Sequence, residues 1–225
     1  MKYIHRSEDR FKTQIGWLNG RHSFNFNRHF SPEKTGFGAL LVLNEDRIAP
    51  HQGFGMHPHN DMEIITIPLS GEVQHEDDQG GKSILKPFDV QVMSAGTGIF
   101  HSETNPSHEE LHLLQIWIIP DKTNHAPRYD EKHIPLEENT LTTLVGPMDS
   151  KTPLHIHQDA YIHRIKGEDI NHTHQLKKPA YCFLVEGELT VNDTILKNGD
   201  AVGIVGEAEL SLQGQGDLII LEVPY

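Results

Sequence analysis

Cysteine is almost absent from this chain of 225 residues, which contains only Cys182. A single thiol cannot form an internal disulfide, and we expect Cys182, in the apolar run AYCFLVEG, to pack as a small hydrophobic residue. Long apolar runs are missing too, since no stretch approaches the roughly 18 residues that a spanning helix needs. The start, MKYIHRSEDRFK, is charged and has no apolar signal-peptide core. We therefore expect a cytoplasmic protein without a membrane partner.

Basic residues are also scarce. Nineteen Lys and Arg oppose 32 Asp and Glu, which gives a formal net charge of −13. Such a charge repels phosphate backbones, and no Lys/Arg cluster of the kind that binds nucleic acid is present. We exclude nucleic acid as a partner. With 36% hydrophobic residues, the chain can still form one large β domain or two small ones.

The apolar segments have the length of β-strands. Runs such as GALLVLN, EIITIPL, LHLLQIWIIP and DLIILEV are separated by turn signals that include DDQGG, KNGD and GQGD. Helices are expected only as short peripheral pieces, within residues 1–12 or near 130–140. This alternation of short apolar runs and turn signals predicts an all-β protein.

One element occurs twice in the chain. Ser70-Gly71-Glu72-Val73 followed by LKPFDVQV has a counterpart in Glu186-Gly187-Glu188-Leu189 followed by LKNGDAV. Between the copies, residues 119–140 are polar and contain three prolines, which is typical of a connecting segment. We therefore predict two similar barrels, 1–135 and 136–225.

Two dyads carry most of the chemical information: His57-Pro58-His59 and His101-Ser102-Glu103. Residues i and i+2 of a strand point to the same face, so each dyad presents two possible ligands in one direction. Side by side, the two strands would form one mononuclear site. Three imidazoles and a carboxylate suit a first-row divalent ion, and the lack of thiolate argues against a structural zinc site. Such a set leaves positions open for a substrate or dioxygen.

Histidine is frequent, with 17 residues, so further i, i+2 pairs are expected by chance. His155/His157 and His172/His174 are such pairs, and we expect neither to bind a physiological metal. No histidine follows His174, so the second half has no partner for a second dyad, and its barrel is predicted to be metal-free. The remaining histidines are predicted at the surface or as hydrogen-bonded core residues: His5, His22, His29, His51, His75, His108, His125, His133 and His163.

Other residues are candidates for the surroundings of the site. Phe24, Phe26 and Phe54 could line a pocket for a planar substrate, although aromatic residues on barrel strands more often belong to the core. His112 and Gln115 lie on one strand with opposite parity, so only one of them can point inward. We favour Gln115, in contact with a metal ligand.

The sequence segments around the dyads resemble known motifs. GFGMHPHNDMEIITIPLSGEV resembles the first motif of the cupin superfamily, with Glu63 four residues after the second histidine. MSAGTGIFHSETN resembles the second cupin motif, but has Gly96 where proline is usual. That departure and the His-Ser-Glu ending are similar to the pirin family. Further matches to bacterial pirin-like proteins are IGWLNGRHSFNFNRHF, GFGALLVLNEDRIAP, LHLLQIWIIP and PRYDEK, so the resemblance is dense over residues 14–130.

The resemblance implies a bicupin, two jelly-roll β-barrels packed together, with one divalent transition metal in the N-terminal barrel. The implied ligands are His57, His59, His101 and Glu103. Fe²⁺ is favoured, with Mn, Co, Ni, Cu or Zn as other candidates. Glu63 corresponds to a ligand in many cupins, but in pirins Glu103 takes that role, so we expect Glu63 beside the ligands or in the core.

Several bacterial pirin-like proteins are quercetin 2,3-dioxygenases, so the implied substrates are a flavonol and O₂. Coordination of the 3-oxygen would lower its pKa, and Glu103 would serve as ligand and then as base. The flavonolate would react with O₂, opening the heterocycle and releasing carbon monoxide. One alternative is a non-enzymatic metal- or redox-sensing interaction protein, as animal pirins are thought to be. A cupin isomerase, or a dioxygenase acting on another enol, is a third possibility. The oligomeric state stays open.

Overall fold

The computed structural model describes residues 2–225, which are almost entirely β-structure. One short 3₁₀ helix, Ser7–Asp9, is the only helix among the described residues. The all-β prediction is confirmed. In chain order, the strands are β1 (Lys2–His5), β2 (Phe11–Ile15), β3 (Leu18–His22), β4 (Leu40–Ile48), β5 (Gly53–His59), β6 (Glu63–Ser70), β7 (Val73–Asp77), β8 (Lys82–Leu85), β9 (Asp89–Ser94), β10 (Ile99–Thr104), β11 (Leu111–Ile118), β12 (Arg128–His133), β13 (Thr142–Pro147), β14 (Leu154–Ile156), β15 (Tyr161–Gln175), β16 (Ala180–Val191), β17 (Thr194–Lys197), β18 (Ala201–Ile204) and β19 (Glu209–Glu222).

Residues 11–133 form two sheets. A seven-stranded sheet has the order β12-β9-β6-β11-β4-β3-β2, and a four-stranded sheet has the order β5-β10-β7-β8. Both dyads lie on the smaller sheet, one on β5 and one on β10. The pairing between these two strands therefore decides whether the dyads meet.

The second half forms one large sheet with the order β1-β18-β16-β19-β15-β13-β14, and β17 pairs with β16. Its edge strand β1 comes from the beginning of the chain, with Lys2 opposite Ile204 and His5 opposite Ala201. The first residues therefore belong to the sheet of the second half. From β2 onward, the change from one group of sheets to the other falls between His133 and Thr142.

Strand β15 is strongly curved. His163 and His174 lie near its two ends, yet their ring centroids are 4.9 Å apart. Eleven residues of a straight strand would span roughly 36 Å, so the strand must curl back on itself. The pairing of β15 with β19 is interrupted between Gly167 and Ile170, which marks an irregularity where the strand can bend.

One large buried cluster joins the two halves. It contains Leu43 and Leu114 from the seven-stranded sheet and Phe183 and Ile219 from the third sheet. Both faces of strand β11 are covered by other parts of the protein. Leu114 and Ile116 belong to this shared core, whereas Gln115 and Trp117 face a cavity. Cys182 is fully buried in the core of the second half, which agrees with its expected packing role.

The repeated element folds differently in its two copies. Gly71 forms the turn between β6 and β7 with φ of 76°, whereas Gly187 lies within the continuous strand β16 with φ of 106°. In both places a Cβ atom would lie within 3 Å of backbone atoms of a neighbouring strand, so both positions require glycine. Among the described residues, no helix has the length and apolar composition needed to cross a bilayer.

Candidate metal centre

Strands β5 and β10 pair antiparallel, which brings the two dyads together as the sequence predicts. His101 lies directly opposite His57, and the register shifts between His101 and Glu103, where Phe54 becomes the partner of Glu103. The shift is a β-bulge, which re-aims side chains locally. The histidines of both strands consequently point to one place.

His57, His59 and His101 form a compact group, which we call the histidine cluster. Their ligand atoms all lie within 4.8 Å of one another. The ring centroids are separated by 4.4 Å for His57 and His101, 4.8 Å for His57 and His59, and 4.9 Å for His59 and His101. Three imidazoles at this separation can converge on one ion.

The hydrogen bonds of the cluster fit metal binding. His57 Nδ1 is 2.7 Å from the carbonyl oxygen of Gly55, so Nδ1 carries the proton and Nε2 keeps a free lone pair. His101 is fully buried, yet neither of its ring nitrogens has a hydrogen-bond partner. Buried polar atoms are rarely left without a partner. The residues therefore fit a bound cation, which would satisfy His101.

Burial also keeps two of these imidazoles, those of His59 and His101, neutral. Desolvation, followed by the neighbouring histidines, lowers the pKa of His59 to about 4 and that of His101 to about 3. A neutral imidazole is the form that ligates a metal. His59 and His101 can thus bind an ion at neutral pH without first losing protons.

Glu103 is buried and held by two hydrogen bonds. Thr66 Oγ1 donates to its Oε1 at 2.8 Å, and Gln115 Nε2 donates to its Oε2 at 2.5 Å. This contact confirms Gln115 as the residue that faces the cavity, whereas His112 is buried on the opposite face of the strand and bonds Glu45. Glu103 lines the same cavity as His57 and His59 but lies outside the close group of histidine nitrogens. Its role as fourth ligand stays a prediction.

Glu63 points away from the cavity. Its Oε2 accepts a hydrogen bond from Ser94 Oγ at 2.7 Å, and the side chain is buried. Burial raises the pKa of Glu63, while the Ser94 hydroxyl and the backbone of His157 partly offset this effect. Of the two positions expected for Glu63, the structure shows the one in the core.

A cavity of about 710 Å³ opens beside the histidine cluster. Its walls are mainly apolar and include Phe26, Phe54 and Trp117. Two of the three candidate phenylalanines therefore line a pocket, whereas Phe24 packs against Tyr181 in the core shared by the two halves. An apolar pocket of this size with few polar groups is the usual form of a small-molecule site.

Asp46 is a polar residue of this cavity that the sequence analysis missed. It is buried, and its Oδ1 has no hydrogen-bond partner. Desolvation, followed by the charge of Glu103, raises the pKa of Asp46 to about 7. Asn44 and Asp46 interrupt the apolar strand β4 at a spacing of two, which is the signal that could have indicated an inward polar face.

Gly96, the departure from the cupin pattern, has a conformational reason. Its φ is 48°, and a Cβ atom there would lie 2.1 Å from the carbonyl oxygen of His125. Proline is fixed near φ of −65° and cannot adopt this conformation. The segment from residues 121–128 thus packs directly on the turn before β10, which bears His101 and Glu103.

The other histidine pairs do not form sites as dyads. His155 Nε2 bonds the carbonyl oxygen of Ser150, and His157 stacks on His125 with ring centroids 3.8 Å apart. His172 lies outside both groups of possible metal ligands found among residues 2–225. His174 belongs to the second of these groups, together with two residues distant in sequence.

An all-β fold in which two neighbouring strands point three histidines at an apolar cavity is typical of the cupins. Residues 4–118 match the family described as Pirin, and residues 143–223 match the family described as Quercetinase C-terminal cupin domain. The chain belongs to the pirin family.

Relatives agree over nearly the whole length. A quercetin 2,3-dioxygenase of Escherichia coli K12 is 37% identical over 225 residues, which cover 98% of this chain and 97% of that protein. The bacterial pirin YhhW of Escherichia coli, solved in complex with nickel(II), has a TM-score of 0.94 at 35% identity, with coverage of 100% and 99%. A quercetin 2,3-dioxygenase of Acinetobacter baumannii has a TM-score of 0.78 at 25% identity, with coverage of 100% and 79%.

Proposed function

We propose that this protein is a metal-dependent dioxygenase that opens the heterocyclic ring of flavonols such as quercetin. The observation that carries the proposal is the histidine cluster beside an apolar cavity that also contains the buried carboxylate of Glu103. Relatives named quercetin 2,3-dioxygenase support the substrate class.

The proposed arrangement has two jelly-roll barrels, residues 1–135 and 136–225. Strand β1 belongs to the first range in sequence but pairs with the sheet of the second. The two separate family matches and the curled strand β15 support it. We assign one divalent ion to the first barrel, held by His57, His59, His101 and Glu103. Fe²⁺ is favoured by the resemblance, and nickel(II) in YhhW indicates that other first-row ions fit such a site.

A bound ion would supply Lewis-acid polarisation of the flavonol 3-hydroxyl and 4-carbonyl oxygens. Glu103 then has the basic oxygen that can take the 3-hydroxyl proton. Thr66 and Gln115 hold the two carboxylate oxygens, so the base is fixed in position. The apolar walls keep water from competing for the activated ring. Overall, both atoms of O₂ enter the ring-opened ester, and carbon 3 leaves as carbon monoxide.

The direct test is turnover of quercetin by metal-loaded protein in air. We expect loss of the flavonol absorbance band with one equivalent of carbon monoxide released per quercetin consumed. Luteolin, which is quercetin without the 3-hydroxyl, is the matched control and should not be consumed. The His101→Ala variant should lose both metal and turnover.

The same experiment distinguishes the alternatives. Iron, manganese, cobalt, nickel and copper are loaded in turn, because the ligand set does not select one of them. If none supports turnover although the protein is loaded, the enzyme proposal fails and a metal-sensing interaction protein becomes the better account. Consumption of quercetin without carbon monoxide would instead indicate a reaction other than the proposed ring opening, as expected of a cupin isomerase or of a different dioxygenase.

A further inference from the structure

A second group of possible metal ligands lies in the C-terminal half, far from the histidine cluster in sequence. It consists of His163 and His174 on β15 and Glu222 at the end of β19, which we call the C-terminal triad. Its three ligand atoms lie within 4.8 Å of one another. Glu222 Oε1 is 3.0 Å from His163 Nε2 and 2.6 Å from His174 Nε2.

The surroundings hold the triad in a fixed geometry. Glu222 Oε2 accepts hydrogen bonds from the backbone N–H groups of Lys177 at 2.6 Å and Lys178 at 3.0 Å. The far nitrogen of His163, Nδ1, bonds Thr143 Oγ1 at 2.9 Å. Metal-binding histidines and carboxylates are oriented by outer hydrogen bonds of this kind.

Charge also favours a cation at the triad. Glu222 is fully buried, and within the described chain its ion-pair partners are only the two histidines. Two imidazole nitrogens and two backbone N–H groups surround the carboxylate. A buried anion is costly without a positive partner. The lysine amide N–H groups supply only partial charge.

We propose that His163, His174 and Glu222 form a second metal site, which takes a divalent ion of the zinc type. Two imidazoles and one glutamate are a known zinc ligand set, with a fourth position left to water. Ligand atoms around tetrahedral zinc lie roughly 3.4 Å apart, so each of the two histidines needs to move away from Glu222 by less than about 1 Å. His174 is the least buried member, at 16% side-chain exposure, and provides the path for the ion.

The proposal revises the expectation of a metal-free second half. That expectation was based on His172 and His174 as a dyad and on the absence of any histidine after His174. The structure instead pairs His174 with His163, because β15 curls, and the third ligand is a carboxylate. Bound there, an ion would tie both ends of β15 to the end of β19 and stabilise this half.

The test counts zinc ions in the full-length protein after chelation, reloading with Zn²⁺ and desalting. We expect two ions in wild type and one in His174→Ala. The matched control is His172→Ala, on the same strand and outside the triad, which should keep two. His57→Ala combined with His101→Ala should retain one ion, and that ion should be lost when His174→Ala is added.

Two controls test the folding of the variant and the binding of an adventitious ion. The single ion kept by His174→Ala at the histidine cluster reports that this variant is folded. His108→Ala examines the exposed pair of His51 and His108, whose ring nitrogens are 3.0 Å apart and could collect an adventitious ion. Loss of the second ion in His108→Ala, or a His174→Ala protein that still holds two, overturns the proposal. So does a wild-type protein that binds only one.

Thermal unfolding is an independent measure of zinc binding at the C-terminal triad. In the variant with His57→Ala and His101→Ala, added Zn²⁺ should raise the Tm in a concentration-dependent way, because only the folded triad binds the ion. Adding His174→Ala should abolish this rise. A hydrogen-bonded triad that takes no metal would instead give the same Tm with and without Zn²⁺, which would contradict the proposal.

Discussion

Glu103→Gln is the substitution that separates metal binding from proton transfer. Glutamine has nearly the same shape, and its amide oxygen can still accept the hydrogen bond from Gln115 Nε2 that now reaches Glu103 Oε2 at 2.5 Å. Its amide N–H₂ then faces Thr66, whose hydroxyl can accept instead of donate. We therefore expect the fold and part of the metal content to be retained.

Turnover, in contrast, should collapse, because an amide cannot take the 3-hydroxyl proton. General-base contributions are typically about 10²–10⁴-fold, which corresponds to roughly 2.7–5.4 kcal/mol in the activation free energy. We expect kcat for quercetin to fall by this factor when it is divided by the metal content of each sample. The measurements are made at a pH where wild type is fully loaded.

Glu63→Gln is the control for this prediction. Its carboxylate bonds Ser94 outside the cavity, so the loss of turnover should stay below about 10–100-fold. The reasoning is refuted if Glu63→Gln is the inactive variant and Glu103→Gln remains active. The ordinary cupin pattern would then hold in place of the pirin pattern.

Three further predictions concern pH and stability. Metal should be retained at about pH 6 and released steeply below about pH 4, because the pKa values of His59 and His101 are about 4 and about 3; complete release near pH 6, measured after desalting, would argue against these ligands. In metal-free protein, burial raises the pKa of Asp46 to about 7, which favours its protonated form in the folded state. The free energy of unfolding of wild type should therefore fall by up to about 4 kcal/mol as the pH rises from about 4 to about 7. Asp46→Asn should remove this loss in urea unfolding, and an unchanged pH dependence would contradict the assignment. Asp217→Asn breaks the buried double contact with Arg164, at 2.8 and 2.6 Å, and should lower the free energy of unfolding by about 3–5 kcal/mol, whereas a loss below about 1 kcal/mol would show that the pair is not needed.

The sequence predicted those parts of the site that depend on local geometry. The spacing of two within each dyad determines which way His57, His59 and His101 point, and the opposite parity of His112 and Gln115 means that only one of them faces the cavity. These inferences need only the alternation of a strand, which is a property of neighbouring residues. The all-β class followed from the same periodicity.

Contacts that depend on the path of the chain could not be predicted in this way. Thr66 lies beside Gln115 because β6 and β11 are neighbours in one sheet, and both bond Glu103 on the other sheet. His163 meets His174 because β15 curls. The strand pattern of the sequence contains no measure of either curvature or strand order. Asp46 is an intermediate case. The alternation of β4 predicts that its side chain points inward, but the sequence does not predict which strands lie next to it.

The first strand has a consequence for how the chain reaches its final state. Residues 2–5 pair with Ala201–Ile204, which are made much later in synthesis. Until β1 docks on it, β18 presents an open strand edge, a template on which other chains can pair. Arg6 and Ser7, which both bond Asp200, hold the closing strand in place. Protection against aggregation of the newly made protein therefore depends on its first few residues, and an N-terminal fusion that hinders β1 should lower the yield of monodisperse protein while leaving the histidine cluster intact.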